Sequence, residues 1–388
     1  MTGRAEVVTE RPFDDREMDR RIMAVRRGMQ KVGVDLLLLT DPHDIYYLTA
    51  GRELGGLMQL ALVIPDSGEF GFAARAVDVV AFVAHTGARK VFPYRDHEPA
   101  ENAIVEALRS YNVSRPRIGF QPGSPTLPIT VLDRIKALIP EARWVDTTRI
   151  VWDIAAIKST QELEHQRRAA LINSQALDRA IRSIAPGVSD NRIAAELIAG
   201  MLEAGSHPIP HFNLATGPRT AVVHATYNDR RLEADDIIHF EFTAARFRYT
   251  APLMRTCTLG MPHPAAKRLN AAAVEAVDAA IATIREGITS GAIDKAANDV
   301  LERRGVRQWH YHRTGYMVGI SDPNGWALGH IGALRQDDPM VVRENMTFHL
   351  PMVLFQPGVA GAGLSETVRV TATGVEVLTS YSRELISL

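Results

Sequence analysis

The stretch His239–Thr256 reads HFEFTAARFRYTAPLMRT, an apolar run with one acid inside it, a basic and aromatic middle, and a close on Pro252 and Arg255-Thr256. Glu241 stands between Phe240 and Phe242, so on a strand its side chain points away from both. Two readings follow. On a central strand both faces are buried and the carboxylate must be paired or functional, because an unpaired buried charge costs several kcal/mol, roughly. On an edge strand Glu241 is simply solvated.

Around this stretch, Ser159 and Glu162 stand at capping-box spacing before a helix presenting Ala170, Leu177, Ile181 and Ile184, stopped by Pro186-Gly187. A second helix runs from Ser189 to Gly205, and two more are predicted over Pro264–Glu286 and Ser290–Arg304. Strands are predicted at Met346–Leu354, Glu366–Thr371 and Val375–Leu378, divided by glycine-rich turns. Helices and antiparallel strands in separate blocks predict an α+β domain over residues 156–388. Ahead of it, Met18, Ile22, Val25, Met29 and Val32 mark an amphipathic helix after Asp14 that ends at Gly33, and VDLLLL (Val34–Leu39) reads as a buried strand. Similar alternation continues to Trp144-Val145, which predicts an α/β domain over residues 1–155.

The 388 residues carry a formal net charge of -1, which supplies no field for nucleic acid or an anionic membrane. The one cysteine, Cys257, excludes an internal disulfide framework and a multi-thiolate zinc site. No signal peptide or membrane span is expected, and the cytoplasm is the expected location.

Polar groups cluster in four places of the second half: His224, the Glu241–Arg255 hairpin, Tyr311-His312 to Arg335, and His349 with Glu366. His224, in VVHATYNDRR, reads either as a hydrogen-bonded structural residue or as an acid/base near neutral pH. His349, in MTFHLPMVLF, has the same two readings. Arg335, in GALRQDD, is a solvated loop charge or a bidentate partner for a substrate carboxylate. His207 and His211, in HPIPHF, have metal-like spacing, but two prolines forbid the helix that spacing needs.

The order of these features, with the FE…RY…PL.RT hairpin, GYMVG, MTFH and SETVRVTATGVEVL, resembles the pita-bread family of creatinases, prolidases and methionine aminopeptidases over nearly the whole chain. The resemblance implies a smaller creatinase-type amino-terminal domain before a pita-bread domain. Peptidase members bind two metal ions at five stations. Here those stations hold Glu241, Pro252, Tyr316, Pro351 and Ser365. Proline offers a metal no side-chain lone pair, and serine and tyrosine replace carboxylate and imidazole poorly. The resemblance therefore points to the metal-free branch, to ectoine hydrolase most closely, with no metal and no cofactor.

That resemblance implies a hydrolase of a C–N bond in a small cyclic amidine or amino-acid derivative. Glu241 would be the nucleophile or direct water, His224 the acid/base, and Glu366 the third catalytic residue. Tyr316, His349, Arg335, Tyr249 and Arg52 would bind substrate. The chain departs from the pattern at GRELGGLMQ (Gly51–Gln59) and at Gly363, where a glutamate is usual. Creatinase-type relatives are homodimers, so a homodimer is implied. A creatinase-like amidinohydrolase, a Xaa-Pro peptidase-like enzyme and a non-catalytic binding module of the same fold are the alternatives.

Overall fold

The computed structural model describes residues 11–51, 59–208, 212–321 and 325–388. The chain divides between Ala155 and Ala156 into two compact units.

In the first unit, α1 (Asp15–Val32) starts where the Asp14 side chain accepts from the Glu17 N–H, and ends where Gly33, at φ 73°, donates back to Met29 and Gln30. These are the two caps the sequence predicts. A sheet follows, built from β1 (Leu36–Leu39), β2 (Ala61–Pro65), β3 (Gly71–Arg75), β4 (Val91–Tyr94), β5 (Arg117–Phe120) and β6 (Arg143–Asp146), in the order β4-β3-β2-β1-β5-β6. Five further helices, among the described residues, complete the unit: α2 (Pro42–Thr49), α3 (Ala76–Thr86), α4 (Ala100–Arg109), α5 (Ile129–Leu138) and α6 (Thr148–Ala155). Leu36, Leu38 and Ile118 of the sheet share a core with Ile104, Leu108 and Ile135 of the helices.

The second unit opens with α7 (Thr160–Arg182), where Ser159 and Glu162 close the capping box, and α8 (Asp190–Glu203). Next come β7 (Asn213–Thr216), β8 (Ile237–Phe242), the short hairpin β9 (Ala245–Arg246) and β10 (Tyr249–Thr250), and β11 (Leu253–Thr258). Helices α9 (Pro264–Thr283) and α10 (Ser290–Arg303) precede β12 (Gly315–Met317), β13 (Ala333–Leu334), β14 (Thr347–Gln356), β15 (Ala360–Val370), β16 (Val375–Val377) and β17 (Ile386–Ser387). They form two sheets, β17-β11-β8-β7 and β13-β12-β14-β15-β16.

β8 lies between β11 and β7, so the opening stretch is a central strand. Phe240 and Phe242 turn into a core with Ile172, Leu177 and Leu197 of α7 and α8. Glu241 turns the other way. Cys257 sits on the phenylalanine side and is fully buried, and burial pushes its thiol up to about 12.

Two sequence expectations change. The helix before Pro186-Gly187 ends at Arg182. β15 begins at Ala360 rather than Glu366, because the glycines of AGAGLS mark close backbone approach instead of a turn. A Cβ on Gly361 would stand 1.8 Å from the Thr220 carbonyl oxygen. Among the described residues, no helix is long and apolar enough to cross a membrane.

Candidate functional site

Strand parity decides which side chains share a space. Glu241 pairs in register with Met254 on β11 and Asn213 on β7, and Asn213 donates to its carboxylate at 2.9 Å. Glu241 is half-buried. Across the second sheet, Tyr316 of β12 pairs with His349 of β14, and Pro351 pairs with Ser365 of β15. The sheets meet where the Met254 N–H donates to Ser365 Oγ at 2.8 Å. Glu241, Tyr316, Pro351 and Ser365 thus belong to one region. The Glu241 charge also reaches Tyr316, where burial first and that charge second push the phenol's pKa up.

Tyr316 is held on two sides. Trp326 Nε1 donates to its hydroxyl at 3.1 Å, and His349 Nδ1 lies 2.9 Å from the same oxygen. His349 is fully buried, with Nε2 sealed in and unbonded, and burial lowers its pKa to about 3. His312, whose pKa burial also lowers, adds to that depression and itself feels His224. His310 stacks edge-on against His312 at 5.0 Å and is lowered to about 3, again mainly by burial. These imidazoles are held neutral near pH 7.

His239, not singled out in the sequence, shares the Glu241 face because it lies two residues before it on β8. Its Nδ1 is 3.0 Å from Thr256 Oγ1, and burial lowers its pKa to about 4. Asn213 was not singled out either. The period-two spacing of His239 from Glu241 was the available signal; for Asn213 the sequence holds none, since only the β7–β8 register brings it there.

Three sequence assignments are corrected. Glu366, next to Ser365, faces the opposite side: it accepts from Arg255 Nη2 at 2.8 Å and Arg383 Nε at 3.0 Å, while Thr379 donates to its other oxygen. Arg255 is itself locked to the Ser365 and Ser382 carbonyls, so Glu366 closes a buried structural pair. Tyr249 is fully buried and donates to the capping glutamate Glu162 at 2.9 Å, which ties the hairpin to α7 and leaves substrate out of reach. Arg335 is exposed and pairs locally with Asp338 at 2.7 Å. His224 is exposed in a turn at φ 58°, and its charge is felt by His312. Arg52 and most of the Gly51–Gln59 loop, with His211, lie outside the described residues. His207 receives the Phe247 N–H at 3.2 Å, which anchors the β9–β10 hairpin.

Residues 164–372 match Metallopeptidase family M24, and residues 21–157 match the Creatinase/Prolidase N-terminal domain. The chain belongs to family M24. It is 30% identical to the uncharacterized hydrolase/peptidase y4tL of Sinorhizobium fredii, with 96% of this chain and 97% of that protein covered. It is 25% identical to the ectoine hydrolase of Halomonas elongata over 96% of this chain and 98% of that one. Among solved structures, a prolidase from Thermococcus sibiricus superposes with a TM-score of 0.84 at 21% identity, covering 96% and 99% of the two chains, and shows the same fold. This M24 protein is therefore an α+β hydrolase-family chain with a creatinase-type amino-terminal domain and a pita-bread domain.

The family's metal pair can be tested against the side chains present. Of the five stations, Glu241 alone carries a carboxylate or imidazole; Pro252 and Pro351 carry no donor, and the Ser365 hydroxyl is engaged by Met254. Among the described residues, no group of three or more His, Cys, Asp or Glu is placed to hold a metal ion. The donor set does not fit a dinuclear centre.

Proposed function

We propose that this M24 protein is a metal-independent hydrolase of a non-peptide C–N bond in a small cyclic amidine or related amino-acid derivative. The observation that carries the reading is the placement of Glu241. A carboxylate stands on the inward face of a central strand, steadied by Asn213, in a region whose other metal stations have lost their ligands. Such a carboxylate is left to act on carbon or on water itself.

Glu241 attacks the electrophilic carbon, or directs water to it. The Tyr316 hydroxyl, oriented by Trp326 and His349, donates a hydrogen bond to the tetrahedral centre as it forms. The C–N bond then breaks and the departing nitrogen takes a proton through the His312–His224 end of the site; where Glu241 has bonded to carbon, water adds to that carbon, the Glu241–carbon bond breaks, and the water oxygen stays on the product. A cationic amidinium also keeps the partly buried Glu241 ionised. The likeness to the ectoine hydrolase supports the C–N chemistry, and the donor set argues against the dipeptidase activity of other relatives. The same reading takes the protein to be a cytoplasmic homodimer.

The test is incubation of metal-stripped protein with ectoine and a panel of cyclic amidines, read by mass spectrometry. A gain of one water, lost in Glu241→Gln, is expected. Xaa-Pro dipeptide cleavage that disappears on chelation would replace this reading with a peptidase.

A further inference from the structure

His239 and Glu241 share one face of β8 at a separation of about 7 Å along the strand, two residues at about 3.4 Å each. His239 keeps 6% of its surface exposed. Its Nδ1 lies 3.0 Å from Thr256 Oγ1, and which of the two donates is settled by a third residue. The Gly363 N–H donates to Thr256 Oγ1 at 3.0 Å, and the Thr256 hydroxyl donates to the Gly363 carbonyl at 2.7 Å. A threonine hydroxyl has one proton and two lone pairs. The proton and one lone pair are spent on Gly363, so toward His239 the oxygen can only accept. Nδ1 therefore carries the hydrogen, and Nε2 holds a lone pair.

Nε2 has no hydrogen-bond partner among the described residues, and it is not among the polar atoms sealed from solvent. Nothing in the fold requires this histidine for satisfaction of Thr256, whose exchange with Gly363 is complete without it. The exchange does require Gly363. At φ +154° a Cβ would stand 2.2 Å from the Met352 carbonyl oxygen, so glycine alone lets that peptide present both its N–H and its carbonyl to Thr256. The consequence is an imidazole locked as an acceptor beside a carboxylate.

We propose that His239 is a substrate-binding residue of the Glu241 site, an obligate acceptor that takes an N–H of the substrate, with Thr256 and Gly363 as positioning residues that fix its tautomer. The proposal rests on the reading that substrate binds at Glu241. It narrows the substrate class to nitrogen compounds that present two donors along one edge, one to Glu241 and one to His239 Nε2. An analogue with an ether or ester oxygen at the second position would set acceptor against acceptor. A site built to pair with an N–H discriminates strongly against such an analogue, because its buried acceptor is left unpaired.

Nitrogen NMR of full-length protein carrying labelled histidine rings tests this directly, with the His239 signals identified by their loss in His239→Gln. At pH above 7, Nδ1 should be protonated and Nε2 bare. Thr256→Ser should keep that pattern and Thr256→Val should mix the tautomers. Titration with acetamidinium should move the Nε2 resonance to saturation, whereas tetramethylammonium, a cation without an N–H, should leave it in place. Thr256→Val should weaken acetamidinium binding about tenfold, the scale of a hydrogen bond to a charged donor.

A protonated Nε2 in the wild type overturns the proposal, and so does an Nε2 unmoved at any acetamidinium concentration. Turnover of ectoine separates the two readings. If Glu241→Gln retains turnover while Nε2 still responds, the catalytic assignment fails and His239 stands. If Glu241→Gln loses turnover and Nε2 stays unresponsive, Glu241 keeps its catalytic role and His239 loses its place in binding.

Discussion

Glu241 and Glu366 are two carboxylates on neighbouring sheets of the same unit, and they have opposite surroundings. Glu366 is fully buried and receives Arg255, Arg383 and Thr379. Glu241 is half-buried, receives Asn213, and stands beside Tyr316. The separation comes from strand parity: Ser365 points to the seam with Met254, and the next residue must point away from it. A fully enclosed carboxylate with cationic partners on its oxygens is a clamp, whereas one at the edge of accessible space can meet a reactant.

The sharpest way to break this comparison is to neutralise each acid. Glu241→Gln should lower turnover roughly 10⁴-fold, the scale for removing an attacking group, with an unchanged urea midpoint. Glu366→Gln should do the opposite. It leaves Arg255 buried without its counter-charge and should cost about 3–5 kcal/mol of stability in urea denaturation, with activity per folded molecule nearly intact. Collapse of activity at an unchanged midpoint would return Glu366 to the catalytic set.

Between these extremes lies Gly363→Ala, which pushes a methyl group against the Met352 carbonyl and should cost about 2 kcal/mol or more. Acid should weaken the same unit as well. His239, His310 and His349 are held neutral by burial, with folded values near 4, 3 and 3, so the unfolded chain binds protons first. Their contribution is fully present above an ordinary histidine value of about 6.5 and is lost as pH falls from there toward 4. At pH 5 each costs about 2 kcal/mol, so the thermal midpoint should drop steeply between about pH 6.5 and 5. Replacing His349 by Phe should flatten that drop. The smallest effect belongs to Arg335→Ala, which breaks one exposed pair with Asp338 and should shift stability by at most about 0.5 kcal/mol and turnover hardly at all.

Much of the fold was legible because its signals are local. Asp14, Gly33, Ser159 and Glu162 act within four residues of themselves, and the Phe240-Glu241-Phe242 alternation shows which way the acid points once the strand is central. Glu366 and Tyr249 misled for the converse reason. Their partners, Arg255 and Glu162, are far away in sequence, and a resemblance supplies residue positions without the local register that aims each side chain. His239 was within reach of the sequence as a residue on the Glu241 face, but its fixed tautomer depends on Gly363, which only the meeting of β11 and β15 brings near.

Cys257 has a use that its burial creates. It is the chain's one thiol, it pairs across β11 with Ile238 on one side and Ile386 on the other, and in the folded state its proton is held too tightly for ready alkylation. Any labelling by a thiol reagent at neutral pH must therefore pass through an opening of the β8–β11–β17 seam. The protein carries its own clock for that event, and the rate at which the thiol is trapped would report how often the strand that holds Glu241 parts from its neighbour.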